Sequence, residues 1–277
     1  MSPRKIPPKI EDESIYLECM SKPLQEKLKI VSYIPEKAKN ILDVGCADGA
    51  VTIAMANLFP WIKFHGIDLN PRFITSAKKH GVNLNNSSFE QVYLRELLAG
   101  KQKYDVIIFC SVLHEFFTYG EGISSVLKAL SDAHELLTAN GTIIIRDMIL
   151  SDYTKRANLK NKDILQKIHS NLAVAPLLAD FEATFGVLDT HHKINHFLLK
   201  YMYENNWERE LKENYIPVTF EQYEKIFDLL GMRVQYKESY LIEYLKNLWS
   251  KDFKFSNEEL VSFKSTGILV AEKNGSN

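Results

Sequence analysis

The segment Asp43-Val44-Gly45-Cys46-Ala47-Asp48-Gly49 joins a short apolar run to a helical stretch, and Asp68 follows 19 residues after Gly49, where the next apolar run ends. A glycine-rich turn between a strand and a helix lets ligand atoms approach backbone N–H groups at the helix N-terminus. A carboxylate at the end of the second strand accepts hydrogen bonds from ribose hydroxyls. Together they point to a nucleoside-containing ligand, either a dinucleotide or an adenosyl sulfonium. The G-x-G-x-x-G spacing of dinucleotide sites is missing, because the loop runs Gly45-x-Ala47-x-Gly49. Charge separates the two readings better. Asp43 and Asp48 lie close to where a pyrophosphate would sit. Two like unit charges about 4 Å apart repel by roughly 1 kcal/mol in water and several times that in a cleft. A sulfonium and an α-ammonium are attracted by the same carboxylates, so the loop favours S-adenosylmethionine.

Further chemistry-bearing residues follow at the ends of later apolar runs. His114 and Glu115 come just after Tyr104–Cys110, at an edge where open α/β sheets bind ligands. His114 is poised near neutral pH and is the candidate general base; Glu115 is the second candidate, the bland reading being a packed histidine beside a solvated acid. Arg146-Asp147 ends another run. The arginine could clamp an acidic acceptor, or form an ion pair that fixes the following segment. His192 and His196 share one helix face, but a zinc site needs a third ligand of suitable geometry, so no metal is expected. With Tyr201 and Trp207 these histidines fall in a stretch dense in aromatics and amides, read either as helix packing on the sheet or as an acceptor pocket wall. Lys155, Arg156, Lys160 and Lys162 form a basic run, normally a solvated helix face, which would steer an anionic acceptor if it lined the cleft.

These residues need a scaffold, and the texture of the chain supplies one. Asn40–Gly45, Lys63–Leu69, Tyr104–Cys110 and Thr142–Ile145 read as strands, with helical stretches at 50–59, 71–80 and 124–139 between them. Strands alternating with helices mean βαβ units and a mostly parallel sheet, with right-handed crossovers placing helices on both faces. Residues 13–38 have apolar positions at helical spacing and break near Pro23, behind an arm at 1–12. From 148 to 217 the alternation stops in a helical insertion. Thr219-x-x-Gln222 is a capping-box pattern that restarts a helix running to Gly231. Strand candidates at 233–241 and 266–272 then follow, separated by an amphipathic stretch containing Leu245, Leu248 and Trp249.

Composition restricts the function classes. The 277 residues are 45% hydrophobic, and a chain of this length buries roughly three quarters of the surface it would expose unfolded. With 34 basic and 35 acidic residues the net charge is −1, so no global field draws in nucleic acid or a membrane. The cysteines, Cys19, Cys46 and Cys110, show no C-x-x-C spacing, which suits a reducing compartment and excludes a disulfide framework. No apolar run approaches a membrane span, and residues 1–12 lack the apolar core of a signal peptide. The expectation is a cytoplasmic protein without membrane attachment.

In order and interval, Ile41–Gly49, Gly66-Ile67-Asp68-Leu69, Tyr104–Phe109 and Asn140–Ile145 resemble the class I S-adenosylmethionine-dependent methyltransferases. The resemblance spans about residues 40 to 147, and more weakly 219 to 273. It implies a Rossmann-like, doubly wound α/β fold: a seven-stranded sheet with its last strand antiparallel, here with N-terminal helices and a helical insertion after the fifth strand. The segments are then 1–38, the cofactor-binding core 39–147, an acceptor cap 148–217 and a completion of the sheet at 218–277. It further implies that Gly45, Ala47 and Gly49 line the methionine and ribose portion and that Asp43 sits near the ammonium. Asp68 and Leu69 would hold the ribose, and the backbone at Cys110 and Ser111 would flank the sulfonium. Where the family often has an acid for the adenine amine, this chain has Tyr93. Arg146, His192, His196, Tyr201 and Trp207 are the acceptor-binding candidates. The expected activity is methylation of a small or medium-sized acceptor at oxygen or nitrogen. The rivals are an RNA- or nucleotide-modifying methyltransferase, and a non-catalytic S-adenosylmethionine-binding protein.

Overall fold

The computed structural model describes residues 24–156 and 162–274. The arm at 1–12, the helical positions before Leu24, Cys19 and Lys160 lie outside the described residues. The strands are β1 (Asn40–Val44), β2 (Lys63–Asp68), β3 (Ser87–Gln91), β4 (Tyr104–Cys110), β5 (Leu137–Asp147), β6 (Met232–Tyr240) and β7 (Thr266–Lys273). They form one seven-stranded sheet in the order β3-β2-β1-β4-β5-β7-β6. The first five run parallel, and β7 lies antiparallel between β5 and β6. The expected architecture is the one observed.

Each strand's sequence explains its depth. Val106, Ile107, Ile108 and Phe109 of β4 are fully buried, as an uninterrupted apolar run requires in a strand covered on both faces. One face packs Ile107, Phe109, Ile143 and Ile145 with Leu130, Tyr223 and Phe227. The other packs Val106, Ile108 and Ile144 with Ile30, Val51 and Met55. The helices responsible include α1 (Leu24–Lys27) with the 3₁₀ turn after it, α2 (Ala50–Leu58), α3 (Pro71–His80), α4 (Leu113–Tyr119), α5 (Ile123–Leu136) and, after the insertion, a helix over Phe220–Leu229. That last helix starts as its sequence predicts. The Thr219 hydroxyl accepts from the Gln222 N–H at 3.3 Å, and the Gln222 side chain accepts from the Thr219 N–H at 2.9 Å. Because the order reverses between β1 and β4, their carboxyl ends diverge and leave a crevice, the usual ligand position in open α/β sheets.

Two expectations need correcting. The helix predicted to reach Ala139 stops at Leu136, and β5 begins at Leu137. Leu137 pairs with Tyr104, and the register then shifts before Thr142 meets Val106, so strand pairing overrides the helical periodicity of Leu136-Leu137 and Asn140-Gly141 falls within the strand. Of the two readings of the aromatic stretch, packing on the sheet does not hold: Phe197, Leu198 and Tyr201 join a separate apolar cluster with Phe181, Trp249 and Phe253. This cluster draws on helices at Lys162–His169, Ala175–Phe185 and His191–Leu198 and also on Glu243–Phe253 and Asn257–Val261, from between β6 and β7. The indole of Trp249 donates to the Leu198 carbonyl at 3.1 Å. The insertion is thus closed by chain from the far end of the sequence.

Candidate active site

The loop after β1 is held in a conformation that few residues adopt. Gly45, Ala47 and Gly49 have φ of 73°, 48° and 80°. For Ala47 the left-handed region costs on the order of 1 kcal/mol. Two sets of bonds offset it. The N–H groups of Gly45 and Cys46 donate to the Ile67 carbonyl at 2.8 and 3.0 Å, and the Ala47 N–H donates to Asp68 Oδ2 at 3.0 Å. Asp68 Oδ1 accepts from the Asn70 N–H at 2.8 Å. Burial raises the Asp68 pKa, and these N–H donors oppose the rise. At Gly45 any larger residue is excluded by packing too, since a Cβ would lie 2.4 Å from Val112 Cγ2.

Asp43 lies beneath this loop, 1% exposed. Its Oδ2 accepts from the Thr52 hydroxyl at 2.6 Å, while Oδ1 has no partner. Burial pushes its pKa up to about 6, against the pull of Thr52 and of Lys27's charge. A buried carboxylate oxygen without a donor is uncommon and costly. The missing donor is of the kind an ammonium group, or a water held by one, supplies. Asp68 likewise retains lone pairs for hydroxyl donors. The residues present therefore fit a ligand carrying a cationic amine and a ribose.

On the β4–β5 side, His114 opens α4 and is locked to the end of β5. Its backbone N–H donates to Asp147 Oδ2 at 3.2 Å, and its Nδ1 lies 2.8 Å from Asp147 Oδ1. Burial alone would lower the histidine's pKa, but the Asp147 carboxylate, with Glu213 and Glu115 beyond it, carries it up to about 9. Asp147 is correspondingly held low by the imidazolium, in spite of burial. At neutral pH this ring is a cation that donates. Its edge meets the Tyr215 ring, with centroids 5.4 Å apart.

His114 opens onto a cleft of about 180 Å³, whose core-side wall includes Lys27, Ser111, Arg146 and Thr266 and whose facing wall includes Tyr203, Glu210, Glu213 and Tyr215. The facing wall stands on a buried ionic lattice. Arg209 donates through Nε to Glu213 Oε1 at 2.9 Å and lies 3.3 Å from Glu115 Oε1; the Tyr119 hydroxyl donates to Glu213 at 2.5 Å. The Tyr215 hydroxyl donates to Glu210. Lys200, fully buried, donates to the carbonyls of Glu210 and Glu213, and burial brings its pKa down to about 8. Burial and the neighbouring Glu213 raise Glu115 and Glu210 to about 7 each.

The sequence candidates therefore divide. Asp43, Gly45, Ala47, Gly49 and Asp68 meet at the glycine loop, and Leu69 beside them is half-exposed. Cys110 is buried at the end of β4, and Ser111, with φ of 58°, turns the chain toward α4. Tyr93 caps a 3₁₀ turn and is 41% exposed. His114 and Arg146 line the cleft; Glu115, which the bland reading left solvated, is half-buried and paired with Arg209. No ion pair joins Arg146 to Asp147, whose carboxylate is spent on His114. His192 Nε2 lies 3.3 Å from the Ile216 carbonyl, and His196 Nε2 accepts from the Tyr215 N–H at 3.3 Å. Tyr201 donates to Asp252 and Trp207 to Asp180, so these four support the helical wall from behind and do not line the cleft. Among the described residues no group of three or more His, Cys, Asp or Glu is arranged to hold a metal. Tyr203 belongs to the aromatic stretch read as a pocket wall and does line the cleft, whereas Lys27, Thr52, Glu210, Glu213 and Tyr215 were not singled out from sequence. Only Thr52, one helical turn into α2 behind an acidic loop, carries a local signal.

Residues 42–143, from β1 into β5, match the methyltransferase domain family. The matched span includes the glycine loop and His114, whereas Lys27, Arg146 and the helical wall lie outside it. Among solved structures the chain is similar to an O-methyltransferase family protein from Burkholderia thailandensis, with a TM-score of 0.56 and 15% identity over 95% of this chain and 60% of that one. It is also similar to the magnesium protoporphyrin IX methyltransferase of Synechocystis PCC 6803 crystallised with bound SAH, with a TM-score of 0.53 and 13% identity over 96% of this chain and 90% of that one. The plantazolicin methyltransferase BpumL, in complex with a desmethyl analogue and SAH, gives a TM-score of 0.52 and 15% identity over 94% and 89%. At such identities the likeness is one of fold. The chain spans about 60% of the length of the Burkholderia protein. No curated protein matches it. No helix among the described residues is long and apolar enough to cross a membrane.

Proposed function

We propose that this chain transfers a methyl group from S-adenosylmethionine to a small-molecule acceptor, at oxygen or nitrogen. The observation that carries the reading is the unpartnered, buried Oδ1 of Asp43 beneath a loop whose N–H groups are cinched to Asp68 and Ile67. Asp43 receives the α-ammonium, Asp68 the ribose hydroxyls, and the backbone at Cys110 and Ser111 flanks the sulfur. Bound there, S-adenosylmethionine supplies a methyl carbon already activated by positive sulfur. What is left for the chain is alignment and the exclusion of water, and alignment alone is worth roughly 7–11 kcal/mol. The cleft is narrower than the roughly 300–1,000 Å³ of drug-sized sites, which favours a small acceptor.

In this reading the helical wall at 148–217 is the acceptor cap and His114 acts first as a donor. Its Nδ1 is committed to Asp147, which leaves Nε2–H for a lone pair on the acceptor. Proton removal by this ring grows only as pH approaches 9. The RNA reading gains no observation. Lys155 donates to the Pro217 carbonyl at 3.3 Å and Arg156 pairs with Asp152 at 3.5 Å, so these two members of the basic run are engaged within the chain.

Calorimetric titration of S-adenosylmethionine into the wild type and Asp68→Ala tests the proposal. Micromolar binding is expected, weakened ten- to a hundredfold in the variant, which follows from about 1.5–3 kcal/mol for a charge-assisted hydrogen-bond pair. No binding to the wild type rejects it. Methyl transfer from labelled cofactor to any acceptor in a small-molecule panel would eliminate a purely non-catalytic binding role.

A further inference from the structure

We infer that Arg146 and Lys27 form a binding site for a carboxylate carried by the acceptor. The inference rests on the proposed methyl transfer and names the class of molecule methylated. Arg146 is 5% exposed and Lys27 8%, and both line the same cleft. Arg146 spends one Nη on the Ser111 hydroxyl at 3.1 Å, while its Nε is buried without a partner. Among the described residues neither cation has a carboxylate within ion-pair distance. A buried charge without a partner is costly, and two on one wall repel each other. An anion between them offsets both. A guanidinium offers a planar fork matched to a carboxylate, and the nearby ammonium adds a point charge.

The acids around the cleft cannot take that place. Asp147, on the opposite face of β5 from Arg146, holds His114. Glu213 is taken by Arg209 and Tyr119, and Glu210 by Tyr215. Asp43 and Asp48 act on Lys27 only through their charge, and Asp43 is the partner proposed for the cofactor's ammonium. Met148, Leu199, Met202, Ile242 and Leu245 add apolar surface to the lining, beside Tyr244 and Ser265, which suits an apolar body attached to the anionic group. A small carboxylate-bearing molecule satisfies charge, size and wall chemistry together.

The test uses the full chain saturated with S-adenosylhomocysteine and titrated with benzoate and hexanoate, each beside its neutral amide. At least one carboxylate should bind tenfold or more tightly than its amide. That preference should vanish in Arg146→Met, shrink in Lys27→Met and partly survive in Arg146→Lys, with melting temperatures confirming folded protein. S-adenosylhomocysteine affinity should stay within about twofold throughout. The inference is overturned if no carboxylate outbinds its amide in the wild type, an outcome needing no variant, or if the preference survives in Arg146→Met. A tenfold loss of S-adenosylhomocysteine affinity in Arg146→Met also overturns it, since the cations would then serve the methionyl carboxylate. Failure of the wild type to bind S-adenosylhomocysteine defeats the cofactor reading itself.

Discussion

Replacing Asp147 by Asn should discharge His114 at neutral pH. In the wild type the ring's pKa of about 9 lies roughly 2.5 units above the ordinary 6.5, equivalent to about 3 kcal/mol in favour of the charged ring. A raised histidine pKa contributes stability that is full below 6.5 and lost as pH rises through 9. The contribution from the charged ring in this site is therefore about 3 kcal/mol at pH 6, about 2 at pH 7.5 and under about 0.5 at pH 9. Asp147 is held below its ordinary value, so its own contribution is present above about pH 4 and fails only in stronger acid. In Asp147→Asn the nearest carboxylate is gone, burial is opposed only by the more distant Glu213 and Glu115, and the histidine's pKa falls. Two assays read this: the NMR titration of the His114 ring proton, assigned by its loss in His114→Gln, and urea unfolding of both proteins at pH 6, 7.5 and 9. A wild-type ring titrating near 6.5, or a stability difference that does not change with pH, would refute the pairing argument. If the ring's charge serves the acceptor, Asp147→Asn should also lower turnover at pH 7.5 while leaving cofactor affinity unchanged.

Other consequences can be checked separately. Because Asp43 must be ionised to receive an ammonium and its pKa stands at about 6, S-adenosylmethionine affinity should fall about tenfold between pH 7.5 and pH 5; calorimetry showing no change would remove Asp43 from the site. Gly45→Ala combines a left-handed φ with a Cβ 2.4 Å from Val112 Cγ2, for about 2–4 kcal/mol of destabilisation. Its melting temperature should partly recover in Gly45→Ala/Val112→Ala, and no recovery would mean that strain, rather than the clash, dominates. Lys200→Met leaves two buried carbonyls without their donor, at roughly 2–6 kcal/mol, and an unchanged unfolding midpoint would show that the ammonium is not needed there.

How much was legible in the chain follows from the range of each interaction. The buried strands announce themselves because four consecutive apolar residues such as Val106–Phe109 have no other use in a parallel sheet. The glycine loop and Asp68 are legible because positive φ and a strand-end carboxylate are local requirements, met within 30 residues. The end of α5 was misread because Leu137 is equally apolar on a helix and on a strand, and only its pairing with Tyr104 decides. The same limit applies to the site. His114 and Asp147 are 33 residues apart in the chain, and nothing near either one reports the other. Tyr201 and Trp207 had the composition of a pocket wall, yet Tyr201 turns to Asp252, on chain that arrives from between β6 and β7, and Trp207 turns to Asp180 on a neighbouring helix of the insertion. Sequence by itself determined the layers, the strand register of chemistry along the sheet edge, and the cofactor loop. Tertiary structure alone decided which acid meets which base, leaving Arg146 and Lys27 without a carboxylate on a shared cleft. Charge pairing acts across a few ångströms of space, whatever the separation along the chain.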